Sequence, residues 1–341
     1  MQKTILPISF LLTLFLFSCT PTIEPEEPEL AALPTLIPSV VPPDTATAIP
    51  LPTHIPTSTP TSTDTPEPTA TATPLPTATT EVIPPTETAV PLPLTTTYAA
   101  AFSINGEPIQ VHQFGRGEVH LILIGGIHGG YEWNTVLLMY ELIDWLNDNL
   151  DAVPENLKLS IIPVMNPDGL KLITGSSSRF TINDVPFNTD AGRFNANGVD
   201  LNRNWDCDWN PTAYWRNEEV SGGSFVGSEK EVQNISYFIR ESNPAGVVFY
   251  HSAAGALYGG RCNGAIADGT DALVRAYEVG SGFSPPERGG LNISYVATGT
   301  AIDYLATQNI AAFEVELTNH QDTEFERNLA GVLSLIDLLS E

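Results

Sequence analysis

Four ionisable residues stand at or just past the ends of apolar runs long enough to be buried strands. His128 and Glu132 follow Val119 to Ile124, His251 follows Ala245 to Tyr250, and Glu316 closes Ile310 to Leu317. Open α/β sheets bind ligands at the carboxyl ends of their strands. Two histidines and one glutamate suit a tetrahedral zinc ion whose fourth position stays open to water. A further carboxylate beside that water can take its proton. Glu314 alternates with Glu316 along one run, so the period of a strand points both the same way. The run alone therefore leaves Glu314 as a rival for the base. A histidine after a strand is by itself more often a packing residue, so the chemistry rests on the set.

Elements that can hold such a set are legible around it. Asn105-Gly106 between two short alternating runs is a hairpin signal. Val119 to Ile124, Leu157 to Val164, Ala245 to Tyr250 and Ile310 to Leu317 read as strands. Helical spacing marks Asn134 to Leu150, Glu229 to Arg240, Asp271 to Val279, Ala301 to Thr307 and Glu324 to Leu339. The alternation predicts a single α/β domain over residues 99–341, with a mixed, mostly buried central sheet flanked by helices.

Between the first and last of these acids lies Gly198-Val199-Asp200-Leu201-Asn202-Arg203-Asn204-Trp205, preceded by Asn166-Pro167-Asp168-Gly169 and Arg193. Then come His251-Ser252, Tyr295-Val296-Ala297-Thr298-Gly299 with Ile302-Asp303, and Phe313-Glu314-Val315-Glu316-Leu317. In this order the chain resembles the zinc carboxypeptidases of the carboxypeptidase A type over essentially all of 99–341. The resemblance implies hydrolysis of a peptide bond next to a free C-terminal carboxylate, with one zinc per chain held by His128, Glu132 and His251. It makes Glu316 the general base that activates the zinc water and Arg193 the stabiliser of the oxyanion. It gives the substrate carboxylate to Asn202 and Arg203, makes Tyr295 a mobile cap, and has Asp200 fix the His128 ring. The family usually places two residues between the first His and the Glu. Here Gly129, Gly130 and Tyr131 intervene, and adjacent glycines can absorb the extra residue. Ile302 matches the family position at the base of the side-chain pocket, which implies a preference for C-terminal Phe, Tyr or Leu over Lys or Arg. Family relatives also include cell-wall (murein) peptide amidases with the same zinc centre. An inactive surface-binding module is the reading from another class, and retention of Glu316 with all three ligands speaks against it.

The chain is two materials joined end to end. Residues 1–98 hold one Lys, no Arg and most of the 29 prolines. Lys3 followed by an apolar run from Ile5 to Phe17 reads as an export signal. Its end, Leu16-Phe17-Ser18-Cys19, resembles a bacterial lipobox, so Cys19 is expected to carry lipid after removal of the segment before it. Residues 20–98, dominated by Pro, Thr and Ala, read as a disordered, partly polyproline stalk. The expected place of the enzyme is therefore the outer or periplasmic side of a membrane, held by lipid alone. In such a compartment the remaining pair, Cys207 and Cys262, is expected to form a disulfide. The net charge is −26, which excludes nucleic acid and anionic headgroups as natural partners. A peptide with a free C-terminus is the expected substrate, acted on by a monomer. His112, His120 and His320 read as structural or solvated.

Overall fold

The computed structural model describes residues 94–288 and 297–341. Cys19, the Pro/Thr-rich segment and Tyr295 lie outside the described residues. The chain opens with β1 (Thr95–Phe102), β2 (Pro108–Gly115), β3 (Val119–Ile124), α1 (Trp133–Asp148), β4 (Leu157–Ile162) and α2 (Pro167–Thr174). There follow β5 (Thr212–Trp215), β6 (Glu218–Ser221), α3 (Lys230–Ser242), β7 (Gly246–Ser252) and β8 (Ala256–Gly259). The last third holds α4 (Thr270–Ser281), α5 (Ala301–Thr307), β9 (Ala312–Leu317) and α6 (Phe325–Ser340).

Seven strands form one sheet in the order β1-β2-β4-β3-β7-β9-β8. Its centre, β4-β3-β7-β9, is parallel, and β1, β2 and β8 pair antiparallel at the edges. This is the mixed, helix-flanked sheet expected from the sequence. Along β3, Leu121 and Leu123 face one layer while Ile122 and Ile124 face the other, the alternation that a pleated strand imposes. The first layer packs on α1, α4 and α6. The second packs on α3 through Val232, Ile235 and Ile239 and on α5 through Ala301, Ile302 and Leu305. Covered on both faces, the central strands carry continuous apolar runs.

Several elements depart from the sequence expectation, among them the edge strand β8, for which no strand was expected. β1 begins at Thr95, ahead of the boundary expected near Tyr98. Asn166-Pro167-Asp168-Gly169 opens a helix: the Asn166 side chain accepts a hydrogen bond from the Gly169 N–H at 2.9 Å, and proline holds the first helical position, where its missing N–H costs nothing. The short hairpin β5-β6 gave no strand signal. Among the described residues no helix is long and apolar enough to cross a membrane.

Candidate active site

The parallel neighbours β3, β7 and β9 bring the chemistry to one edge. His251 lies on β7 directly opposite Glu316 on β9, and Glu314 lies opposite Phe249. Phe249 and Ala312 face the layer of α3 and α5, so alternation sends His251, Glu314 and Glu316 toward that same side. His128 and Glu132 sit in the turn between β3 and α1. Hydrogen bonds from the Tyr131 and Glu132 N–H groups to the His128 carbonyl, at 3.0 and 3.5 Å, close that turn.

The turn delivers a donor set. His128 Nδ1 is 2.8 Å from Glu132 Oε1, His251 Nδ1 is 3.1 Å from Glu132 Oε2, and the two Nδ1 atoms are 3.2 Å apart. All three side chains are buried. Two imidazole nitrogens and a carboxylate that converge in this way fit a zinc ion, and they are a possible metal site. Burial works against a charge on Glu132, but the imidazoles of His128 and His251 outweigh it and hold its pKa well below the usual range. Burial also pushes the His251 pKa down, toward the neutral form that a metal ligand requires.

Around the donors, Asp200 Oδ1 lies 3.2 Å from His128 Nε2 and accepts from the Asn202 N–H at 2.9 Å. Its other oxygen accepts from Arg193 Nε at 2.8 Å. Asp200 thus orients the imidazole and the guanidinium together, and it stays ionised: its burial is outweighed first by Arg193 and then by His128. Arg193 also stacks over Trp215, 4.7 Å from the ring centre. The Asn202 side-chain oxygen accepts from the Ala301 N–H at 2.9 Å, while Arg203 Nη1 donates to the Asn202 carbonyl at 2.6 Å and its Nε to Tyr214 at 3.2 Å.

His128, Glu132, Arg193, Asn202, Arg203 and His251 line one cleft, with Glu316 and Glu314 in its wall. Glu316 Oε2 accepts from the Ala254 N–H at 3.2 Å. Burial, then the charges of Glu132 and Glu314, raises its pKa well above that of a free carboxylate. Burial and the charge of Asp303 push Glu314 up to about 8.

Ile302 is placed differently from the expectation. It is buried in the apolar layer with Trp205, Ala301 and Leu305 and is not among the cleft's lining residues, where Glu314, Ala297 and Thr300 stand instead. Among the described residues, the lining of the cleft lends no support to the apolar preference that the resemblance attached to Ile302. Trp215 and Arg216, which no motif singled out, and His320, expected to be structural or solvated, also line the cleft. His320 Nδ1 is 2.8 Å from Ser252 Oγ, and its Nε2 is 3.1 Å from the Tyr131 hydroxyl, to which Arg216 donates at 2.9 Å. Only the nearness of His320 to Glu316 in sequence could have suggested it.

Cys207 and Cys262 are disulfide-bonded, with Cα atoms 6.0 Å apart. The bridge joins the chain just after the Asn202-Arg203 turn to the loop after β8. Backbone hydrogen bonds at 3.1 Å from Trp205 to Gly299, and at 2.8 Å from Gly299 to Cys207, tie in the segment that leads to α5.

A sheet that gathers two imidazoles, a carboxylate and a further half-buried acid at the end of its parallel strands fits a metallopeptidase. The chain belongs to the zinc carboxypeptidase family, whose sequence model matches residues 92–328. Among solved structures it is similar to bovine thrombin-activatable fibrinolysis inhibitor, at 16% identity and TM-score 0.55, over 72% of this chain and 90% of that one. It is similar to carboxypeptidase A from Helicoverpa armigera at 20% identity and TM-score 0.51, over 72% and 67%. A murein-tripeptide amidase from Escherichia coli O157 aligns at 22% identity and TM-score 0.48, over 73% and 98%. The first two are likenesses of fold. A comparison with curated protein sequences finds no significant match.

Proposed function

We propose that the chain is a carboxypeptidase: it hydrolyses the peptide bond next to a free C-terminal carboxylate, with Glu316 as general base. The observation that carries this is the meeting, in one cleft, of the three donors, Glu316, and the Asn202–Arg203 pair. Bound to His128, Glu132 and His251, a zinc ion would supply a Lewis acid and acidify a water molecule. The planar guanidinium of Arg203, flanked by Asn202, suits a terminal carboxylate. Arg193, pinned by Asp200, places a fixed positive charge where the carbonyl oxygen gains negative charge. Glu316 takes the proton of the attacking water and passes it to the leaving amine. Tyr295 is proposed as the cap over the bound residue.

The test is a pair of peptides that differ only in a free or amidated C-terminus. The full, zinc-loaded chain should release the last residue from the first and not from the second, and a chelator should stop the reaction. Equal cleavage of both would overturn the reading, and preference for muropeptides over ordinary peptides would make the enzyme a cell-wall peptide amidase.

We also propose export and lipid anchoring through Cys19. The Cys207–Cys262 bridge supports an oxidising compartment. In a bacterial host, Cys19→Ser should move the enzyme from the membrane pellet to the soluble fraction. Unchanged sedimentation would refute the anchor.

A further inference from the structure

One half-buried acid of the cleft has no part in this chemistry. Glu314 leaves β9 on the same face as Glu316, yet the two are held differently. Glu316 accepts a backbone hydrogen bond from Ala254. The carboxylate of Glu314 has no hydrogen-bond partner among the described residues; its contact is Oε2 to His251 Nε2 at 3.6 Å, beyond hydrogen-bond reach. Its side chain is 14% exposed, and that exposure opens on the cleft. A carboxylate in such a place is costly without a counter-charge.

The other acids of the site already have theirs. Asp200 meets the guanidinium of Arg193 at 2.8 Å, and Glu132 lies between two imidazoles at 2.8 and 3.1 Å. Nearby Asp303 adds negative charge on Glu314's side of the cleft, and the positive charge of Arg203 attracts the carboxylate without outweighing burial and Asp303.

Position says which part of a substrate would meet Glu314. The metal-facing Nδ1 of His251 lies toward Glu132, and the outer Nε2 is flanked by Asn202 Nδ2 at 3.4 Å and Glu314 Oε2 at 3.6 Å. Glu314 therefore shares the outer side of His251 with the residues proposed to grip the terminal carboxylate. The small side chains of Ala297 and Thr300 line the same cleft.

The geometry points to Glu314 as the specificity-determining residue of the cleft, selecting a C-terminal residue whose side chain ends in a cation, such as lysine. This rests on the carboxypeptidase reading. The terminal carboxylate would meet Arg203 while the side-chain cation meets Glu314. Two opposite charges recognised at fixed positions discriminate more sharply than apolar contact, because the wrong side chain leaves a buried carboxylate unpaired.

The test has two arms on the full, zinc-loaded chain. In the first, kcat/KM is compared for blocked dipeptides ending in Lys and in Leu. The native enzyme should favour Lys, and Glu314→Gln should lower the Lys-to-Leu ratio by about 30-fold or more, with zinc content unchanged. Glu314→Asp should keep the sign of the preference. A purely structural role would lower both rates together and leave the ratio as it was. Faster release of Leu by the native enzyme, or an unaltered ratio in Glu314→Gln, would overturn the assignment. In the second arm, calorimetry on Glu316→Gln measures binding of Ala-Lys against Ala-Leu. Tighter binding of Ala-Lys, lost when Glu314→Gln is added, would uphold the assignment even if no peptide were cleaved and the carboxypeptidase reading fell. Equal binding of the two would refute it.

Discussion

Glu316→Gln is expected to keep its zinc and to lose about 10²–10⁴-fold in kcat, more if the same group also protonates the leaving amine. The amide retains an oxygen that can accept from the Ala254 N–H, now at 3.2 Å from Oε2, so the side chain should stay in place while losing its basicity. Buried, and facing the charges of Glu132 and Glu314, the native carboxylate has its pKa raised well above the free value, which suits a group that must take a proton from water. KM should change little, because Glu316 is not proposed to hold the substrate. Metal analysis beside steady-state kinetics separates the two effects. Glu314 is the control, since it leaves the same strand on the same face. It feels the charge of Asp303 and of Arg203 before that of Glu132, whereas Glu316 feels Glu132 directly after burial. A Glu316→Gln enzyme that keeps native turnover while Glu314→Gln is dead would mean that the wrong member of the pair was assigned.

How far the sequence carried can be argued from the same residues. Strand ends and residue types were enough to bring forward His128, Glu132 and His251 and to narrow the base to Glu314 or Glu316, because a parallel sheet gathers the carboxyl ends of its strands on one edge; the family resemblance chose Glu316. The central strands were legible for a related reason: burial on both faces makes them uniformly apolar. What stayed hidden depended on packing across the cleft. Whether the strand face or the helix supplies the pocket wall cannot be read from spacing. Ile302 on α5 turned into the apolar layer, and Glu314 took a place on the cleft. Likewise, the four-residue strands of β5-β6 are too short to show a period, and they carry Trp215 to the guanidinium of Arg193 through a purely tertiary contact.

The metal centre yields the other large effect. Glu132→Ala should weaken zinc binding by more than about 100-fold, since losing even an outer partner of a ligand costs about 10–100-fold and Glu132 is proposed as a ligand itself. Its two oxygens reach one imidazole each, at 2.8 Å to His128 and 3.1 Å to His251, so its removal takes away the only anion of the donor set. The extra residue between His128 and Glu132 does not draw the carboxylate off target. The turn between β3 and α1, closed by the bonds from the Tyr131 and Glu132 N–H groups to the His128 carbonyl, brings both side chains together. Gly129 makes the turn possible with φ of +44°, in the region where a side chain is strained, and a Cβ there would stand 2.7 Å from the Gly192 carbonyl oxygen. Competition with a chromophoric chelator gives the zinc affinity of native enzyme and variant, and thermal unfolding of both metal-free forms shows whether the fold survives. A folded Glu132→Ala chain that binds zinc within about threefold of the native affinity would remove Glu132 from the ligand set, and with it the reading of the Gly129-Gly130-Tyr131 turn as the device that positions it.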